Sequence, residues 1–268
     1  MLSFPNAKIN LGLNVVSCRQ DGYHDIETVF LPVPALCDAL EFVESDSVSL
    51  QIFGVQVGGY AEDNLIIKAL RLLQKDFDLP NLRCYIKKNI PLGAGLGGGS
   101  ADAAFMLKML NKSYSLQISD ENLEIYAAKL GADCPFFIRN KPVFAEGIGN
   151  VMTEVNISLT ESYLFLVKPN IHVSTASAYK KIKPQRWDIP LAEAVKLPIE
   201  NWKKCLLNDF EPTVFKLHPE LAEIKQQMYK NGALYASMSG SGSTIYGIFP
   251  QQPDTEIFNK HFVFSCKL

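Results

Sequence analysis

The segment Pro91-Leu92-Gly93-Ala94-Gly95-Leu96-Gly97-Gly98-Gly99-Ser100-Ala101 is the part of the chain best suited to hold a ligand. Five of its first nine residues are glycine, and a helix-forming run continues to Leu110. Glycine removes the side chain that would keep a bulky anion from backbone N–H groups, and it permits positive φ. A helix start adds N–H donors and the positive end of the helix dipole. A phosphate chain is the ligand such a loop suits. Gly93-Ala94-Gly95-Leu96-Gly97-Gly98 satisfies G-x-G-x-x-G, but that pattern should follow a buried strand inside a βαβ unit. Here the preceding residues 84–91 are polar, partly alternating and end in proline. A P-loop would need Gly-Lys-Ser/Thr at its end, and no lysine lies between Lys88 and Lys108. A flexible glycine turn is the bland alternative. The immediate helix start favours a phosphate cradle outside the two commonest classes.

Three other segments carry residue types with chemical potential. Along 7–15, Lys8, Asn10 and Asn14 alternate with Ile9, Leu11, Leu13 and Val15, so on a strand Lys8 and Asn10 share a face. Asp133 lies in Gly131-Ala132-Asp133-Cys134-Pro135-Phe136-Phe137, a loop joining two elements, and such loops are common homes for catalytic groups. Ser237-Met238-Ser239-Gly240-Ser241-Gly242-Ser243-Thr244 reads as a hairpin turn whose small residues would also let the backbone approach a phosphate. Bland readings stand beside each. A lysine on a strand is usually solvated, Asp133 could cap the turn before Pro135, and His24 could be a structural hydrogen-bonding residue.

The elements that must position these residues can be read from periodicity. Strands are expected over 7–15, 26–33, 39–43, 48–55 and 82–87, with an Asp-Gly turn at Asp21-Gly22. A helix is expected over 64–75 with Leu65, Ala69, Leu72 and Leu73 inward, although Asn64 could serve merely as its cap. Another helix runs from Ser100 or Ala101 to Leu110. Ser119 caps the next, which Gly131 closes as a C′ glycine. Beyond a short strand at 143–145 the pattern restarts near 158. A strand at 162–168, helices at 175–181, 201–208 and 220–229, and paired strands at 233–238 and 243–249 follow. Residues 182–200 read as a surface excursion.

With 268 residues, the chain is long enough for a substantial core, in one large domain or two smaller ones. A net charge of −2 argues against a general binder of nucleic acid or anionic membranes. No apolar run approaches membrane-spanning length, and the N-terminus lacks the pattern of a secretory signal. A cytoplasmic protein is expected. Cys18, Cys37, Cys84, Cys134, Cys205 and Cys266 form no C-x-x-C pair, and the four histidines lack metal-ligand spacing. Free thiols are therefore expected, and a zinc site is not.

Taken in order, Pro5-Asn6-Ala7-Lys8-Ile9-Asn10-Leu11, the glycine loop and Ser237–Thr244 resemble the three motifs of the GHMP kinases. Arg19-Gln20-Asp21-Gly22-Tyr23-His24, with Gly131-Ala132-Asp133-Cys134-Pro135-Phe136-Phe137, is similar to the 4-diphosphocytidyl-2-C-methyl-D-erythritol kinase family of that superfamily. The resemblance runs from about Pro5 to Phe249. It implies an α+β, two-lobed GHMP kinase fold with the active site in the cleft between the lobes, divided here as 1–157 and 158–268. It also implies ATP as phosphoryl donor, with Mg²⁺, and a small-molecule substrate carrying a cytidine diphosphate group. Lys8 and Asp133 become the catalytic pair. Asn10, Tyr23, His24, Thr175 and Tyr179 become substrate contacts, with Tyr23 and Tyr179 stacking on the cytosine and His24 bonding its edge. Asn64, Leu65, Pro91, Gly93, Gly95, Leu96, Gly97, Gly98, Gly99, Ser100 and Ala101, with Ser239, Gly240, Ser241 and Gly242, become the ATP side. No acidic Mg²⁺ ligand is assigned, and oligomeric state is left open. The chain departs from the family in having Asn150 where an acid is frequent and Tyr179 where phenylalanine is frequent.

Overall fold

The strand over Asn6–Cys18 is buried on both faces as far as Val15, so its polar residues Asn6, Lys8, Asn10 and Asn14 lie inside the protein, and the turn at Asp21-Gly22 leads to the next long strand. The computed structural model describes residues 1–55, 60–179 and 182–268. In chain order its elements begin with β1 (Leu2–Ser3), β2 (Asn6–Cys18), β3 (His24–Cys37), β4 (Ala39–Glu44), β5 (Ser49–Gly54), α1 (Leu65–Leu73) and β6 (Leu82–Lys88). Helices α2 (Gly98–Ser113), α3 (Asp120–Ala128) and α4 (Phe136–Arg139) follow, then strands β7 (Val143–Glu146), β8 (Val151–Glu154) and β9 (Tyr163–Lys168). The remainder comprises α5 (Thr175–Tyr179), α6 (Leu191–Ala194), α7 (Ile199–Cys205), α8 (Glu211–Leu217), α9 (Pro219–Lys230), β10 (Tyr235–Met238), β11 (Ile245–Phe249) and β12 (Phe262–Lys267).

Residues group into two compact units. One holds Met1–Lys8, Pro32–Leu92 and Gly97–Lys141; the other holds Ile9–Leu31, Gly93–Leu96 and Pro142–Leu268. Compactness thus gathers separated stretches, whereas the sequence reading cuts once, after residue 157. The reason lies in β2 and β3, which at 13 and 14 residues are long enough to begin in one unit and end in the other.

In the first unit the sheet order is β1-β4-β6-β5, with β5 and β6 parallel and the other pairs antiparallel. Helices α1 and α2 pack on each other. The buried face of α1 is Ile66, Ile67, Ala69, Leu70 and Leu73, while Leu65 and Leu72 are only half-buried. The expected face was rotated because periodicity alone cannot choose between adjacent apolar stripes in Leu65-Ile66-Ile67. Helix α2 starts at Gly98, inside the glycine run and earlier than expected. Helix α3 ends at Ala128, and Gly131 is not among the glycines with positive φ, so it does not close the helix as a C′ residue.

In the second unit β10-β11-β9-β12 forms an antiparallel sheet. Strand β12 was not anticipated. Its register places Phe262 opposite Lys168 and Lys267 opposite Tyr163. A further sheet has the order β2-β3-β7-β8. Leu191 and Ala194, in the expected surface excursion, are fully buried on α6. The helix expected over 175–181 is present through Tyr179, and 180–181 lie outside the described residues.

One polar cluster sits inside the first unit. Lys88, at the end of β6, donates to Asp38 and to Asp102 of α2, the latter at 2.6 Å, and all three side chains are buried. Asp38 Oδ1 also accepts from the backbone N–H groups of Asn89 and Ile90, at 2.6 and 2.9 Å, which fixes the turn leading into Pro91. Burial pushes the Asp102 carboxyl up to about 7 against the pull of Lys88, and the Asp38 charge pushes it further the same way. Burial would lower the Lys88 ammonium, but Asp102 and Asp38 outweigh it and hold it above its ordinary value. Lys88→Met leaves two buried carboxylates without their cation and should cost about 3–5 kcal/mol of stability. Protonation relieves unpaired buried carboxylates, so the loss should shrink as pH falls. Denaturant unfolding at about pH 5 and about pH 8 checks this, with the larger loss expected at the higher value.

Candidate active site

Lys8 lies in the first part of β2, flanked by Ala7 and Ile9, which are fully buried. Its side chain is 4% exposed and its Nζ is 3.2 Å from Asp133 Oδ2. The Asp133 side chain is 37% exposed. A buried ammonium is tolerated only beside a counter-charge, and here that charge keeps one side open to an acceptor. Asp133 sits in the turn before α4, whose Phe136 and Phe137 are buried and pin the turn from behind. At the other end of α4, Asn140 adopts a left-handed φ of 55° and exchanges hydrogen bonds with Asn6 at the start of β2, at 2.6 and 3.2 Å. The strand bearing Lys8 and the short helix following Asp133 are thereby fixed to each other.

The glycine run serves this pair directly. Gly97 has φ 72° and caps α2, and a Cβ there would lie 2.8 Å from Phe137 Cζ and 3.1 Å from Lys8 Cγ. The consecutive glycines 97–99 were expected to clear space for an anion, but they differ. A Cβ at Gly98 would meet Ile90 at 3.0 Å, inside the protein, whereas one at Gly99 would meet only Leu65, at 3.9 Å. Leu96 and Ala101, expected on the ATP side, are buried, so their side chains support the loop. Asn64 does cap α1, accepting from the N–H of Ile66 at 2.9 Å. It also lines, with Leu65, Gly99, Leu92, Lys88 and Asp102, a cavity of about 360 Å³. Cys134, next to Asp133, is buried, and burial pushes its thiol up to about 11.

The remaining expected residues lie in the second unit. Asn10 donates its N–H to Ser239 Oγ at 3.2 Å and its side-chain amide to Thr28 Oγ1 at 3.0 Å. Ser239 Oγ in turn donates to the carbonyl of Gly95 at 2.8 Å, and a Cβ at Gly95 would overlap the carbonyl oxygen of Ser239. The N–H of Thr244 donates to the carbonyl of Ala94 at 3.3 Å. Residues 93–96 and 239–244 therefore form one packed backbone layer. Thr175 reaches it through Ser241, hydroxyl to hydroxyl at 3.0 Å. Tyr23, 63% exposed, stands on a turn fixed by Arg19, whose guanidinium forks onto Asp21 and Asp25 while Asp21 accepts from the N–H of Tyr23 at 3.1 Å. The ring stacked on Tyr179 is His24, at 4.6 Å between centroids and 26° between planes, and Tyr179 packs edge-on against Phe210.

Sequence reasoning missed the polar turn Asn208-Asp209-Phe210-Glu211, which buries Asn208 and Glu211. The helix expected over 201–208 took in Asn208, whereas α7 ends at Cys205, and the only signal was an amide and two acids around one aromatic. Among the described residues no group of three His, Cys, Asp or Glu side chains could hold a metal ion. No helix there is long and apolar enough to cross a membrane. All six cysteines are free.

The chain belongs to the GHMP kinases, as the three motifs imply: the GHMP kinases N terminal domain matches 64–141 and the GHMP kinases C terminal domain matches 191–261. Within that class it belongs to the 4-diphosphocytidyl-2-C-methyl-D-erythritol kinase family. A kinase of that name from Bacteroides fragilis is 52% identical over 274 residues, covering 100% of both chains. Its counterpart from Parabacteroides distasonis is 53% identical over 271 residues, again with 100% of both covered. The crystal structure of a 4-(cytidine 5'-diphospho)-2C-methyl-D-erythritol kinase matches with a TM-score of 0.79 and 32% identity, over 92% of this chain and 90% of that one.

The glycine geometry makes a paired prediction. Gly99→Val should weaken ATP binding by about tenfold or more in a protein that still folds, because the branched side chain enters the cavity wall. Gly98→Val should instead lower stability, because it meets Ile90. Calorimetric titration with ATP and thermal unfolding of both variants distinguish the two effects.

Proposed function

We propose that the chain transfers the γ-phosphoryl group of ATP to the 2-hydroxyl of 4-diphosphocytidyl-2-C-methyl-D-erythritol, giving the 2-phosphate and ADP. The observation that carries the reading is the Lys8–Asp133 pair, 3.2 Å apart with Asp133 partly open to solvent, in a chain of this kinase family. Phosphoryl transfer to an alcohol demands alignment and charge stabilisation more than covalent chemistry. Asp133 accepts the proton of the 2-hydroxyl, and Lys8 orients carboxylate and hydroxyl while offsetting charge on the moving phosphoryl group. Asn10 orients the substrate, with Thr175 on the same side of the reaction.

On this reading the start of α2, with Gly97, Gly98, Gly99 and Ser100, cradles the donor phosphates. Gly93, Gly95 and the Ser239–Gly242 loop complete the cradle, and the cavity beside Asn64 and Leu65 takes the base. Mg²⁺, when bound with the nucleotide, would neutralise phosphate charge, and the Ser100 hydroxyl is the protein group that would help to hold it. Tyr23, His24 and Tyr179 read the cytosine, flat rings for its faces and an imidazole for its edge. The division into 1–157, which carries the glycine-rich loop, and 158–268 belongs to the same reading. A donor and an acceptor that both carry diphosphate groups suit a reaction in the cytoplasm.

Asp133→Asn and Lys8→Met should each lower kcat by roughly 10²-fold or more with the fold retained. Near-normal turnover by a folded Asp133→Asn protein would remove Asp133 from this role. Tyr23→Ala should raise KM for the cytidylyl substrate by about one to two orders of magnitude and leave that for ATP nearly unchanged. Methylerythritol phosphate without its cytidylyl group should be a poor acceptor, because remote binding energy holds the reacting hydroxyl in line. Equal efficiency with and without that group would refute the named substrate.

A further inference from the structure

The turn 208–211 touches both halves of the chemistry just proposed within the second unit. Asn208 is 3% exposed. Its amide nitrogen donates to the carbonyls of Met238 and Gly240, at 2.7 and 2.9 Å, while its Oδ1 accepts from the N–H of Phe210 at 2.9 Å. One side chain therefore bridges the ends of the segment containing Ser239, the residue bonded to Asn10 and Gly95. Glu211 holds the preceding strand: it accepts from Ser237 Oγ at 3.0 Å and from the N–H of Met238 at 2.8 Å, and pairs with Lys225 at 2.5 Å. Phe210 is buried, and its ring meets Tyr179 edge-on at 4.8 Å between centroids, with the Tyr179 face stacked on His24.

The turn is itself fastened to β2. Asp209 donates its N–H to the carbonyl of Leu13 at 2.9 Å, and its Oδ2 accepts from the N–H of Val15 and the amide of Asn14 at 2.7 and 2.9 Å. Its Oδ1 accepts from the indole of Trp187 at 3.1 Å. A loop of small residues and a pair of partly exposed rings hold no fixed geometry by themselves. Here each is set by a neighbouring residue of one buried, strand-anchored turn.

We propose that Asn208 and Phe210 are positioning residues with separate charges: Asn208 sets the Ser239–Gly242 loop for the donor phosphates, and Phe210 sets the Tyr179–His24 pair for the cytosine. The inference rests on the functional reading above and goes beyond it in assigning these two roles. The chemistry of the turn makes the roles separable. Asn208→Asp keeps the acceptor for Phe210 N–H but turns the donor into an oxygen facing two carbonyls. Phe210→Leu keeps an apolar side chain in the core but removes the aromatic edge.

Steady-state kinetics with ATP and the cytidylyl substrate, and calorimetric titration with ADP and CDP, test the proposal. Asn208→Asp should raise KM for ATP and weaken ADP by about tenfold, with the cytidylyl KM changed by less than about twofold. Phe210→Leu should do the reverse, raising the cytidylyl KM and weakening CDP by roughly three- to tenfold. Equal losses for both ligands, or a fall in kcat and melting temperature with both KM values unmoved, would overturn it. Asn208→Ser, which removes the clamp without adding charge, repeats the first arm if the aspartate variant fails to fold. Loss of the fold in both would show that the residue serves folding alone, which also overturns the proposal. The wild-type protein separates this from the broader reading: no turnover of the cytidylyl substrate refutes the function, whereas normal turnover without the split refutes only the positioning roles.

Discussion

A lysine ammonium with only 4% of its side chain exposed is the constraint on which the arrangement around Asp133 depends. Burying a charge costs several kcal/mol unless a counter-charge and hydrogen-bonding groups are held in place. Asp133 can serve only if its turn is rigid, and the apolar anchors Phe136 and Phe137 together with the Asn6–Asn140 exchange make it so. The side of Lys8 facing α2 must stay clear, which is why position 97 is a glycine with positive φ. A strand, a short helix and a helix start thus share one electrostatic requirement.

A second constraint is backbone packing without side chains. Gly95 lies so close to the Ser239 carbonyl that a Cβ cannot be placed between them, and Ser239 Oγ both accepts from Asn10 N–H and donates to the Gly95 carbonyl. Small residues here do two jobs. They let two loops close on each other, and they let the one hydroxyl of Ser239 bond to the backbone of Asn10 and of Gly95. The buried Lys88–Asp38–Asp102 cluster fixes the turn that leads into the same loop from β6. Polar satisfaction and the buried side chains of Ile90, Ala94 and Leu96 together set the position of this segment.

Much of the fold was legible because its signals are local. Alternation along 7–15 announced β2, Asn64 and Ser119 announced the caps that the structure shows, and the serine-glycine turn announced the pairing of β10 with β11. Errors came where several solutions were locally equal. The apolar run Leu65-Ile66-Ile67 allowed more than one inward face for α1, and the face centred on Ile66 and Leu70 was chosen by what packs against it. Strand β12 was missed although Phe262-Val263-Phe264 favours a strand, and the structure pairs it with β9. Residues 191–194 looked like surface, but α6 buries Leu191 and Ala194.

Residue types and their order by themselves pointed to the kinase class and the glycine loop and nominated Lys8 and Asp133 as candidates, since each depends on a short motif that can be read locally. Tertiary structure alone decided how those residues are held. The 3.2 Å approach of Lys8 to Asp133 joins positions far apart in the chain. The stacking of His24 on Tyr179 joins the start of β3 to the end of α5, far apart in the chain. The clamp of Asn208 on the carbonyls of Met238 and Gly240 arises because an amide with no pattern of its own is buried where two carbonyls need a donor. Such contacts are invisible in sequence because hydrogen bonding is satisfied in space, and the partner of a buried polar group is fixed only once the backbone around it is in place.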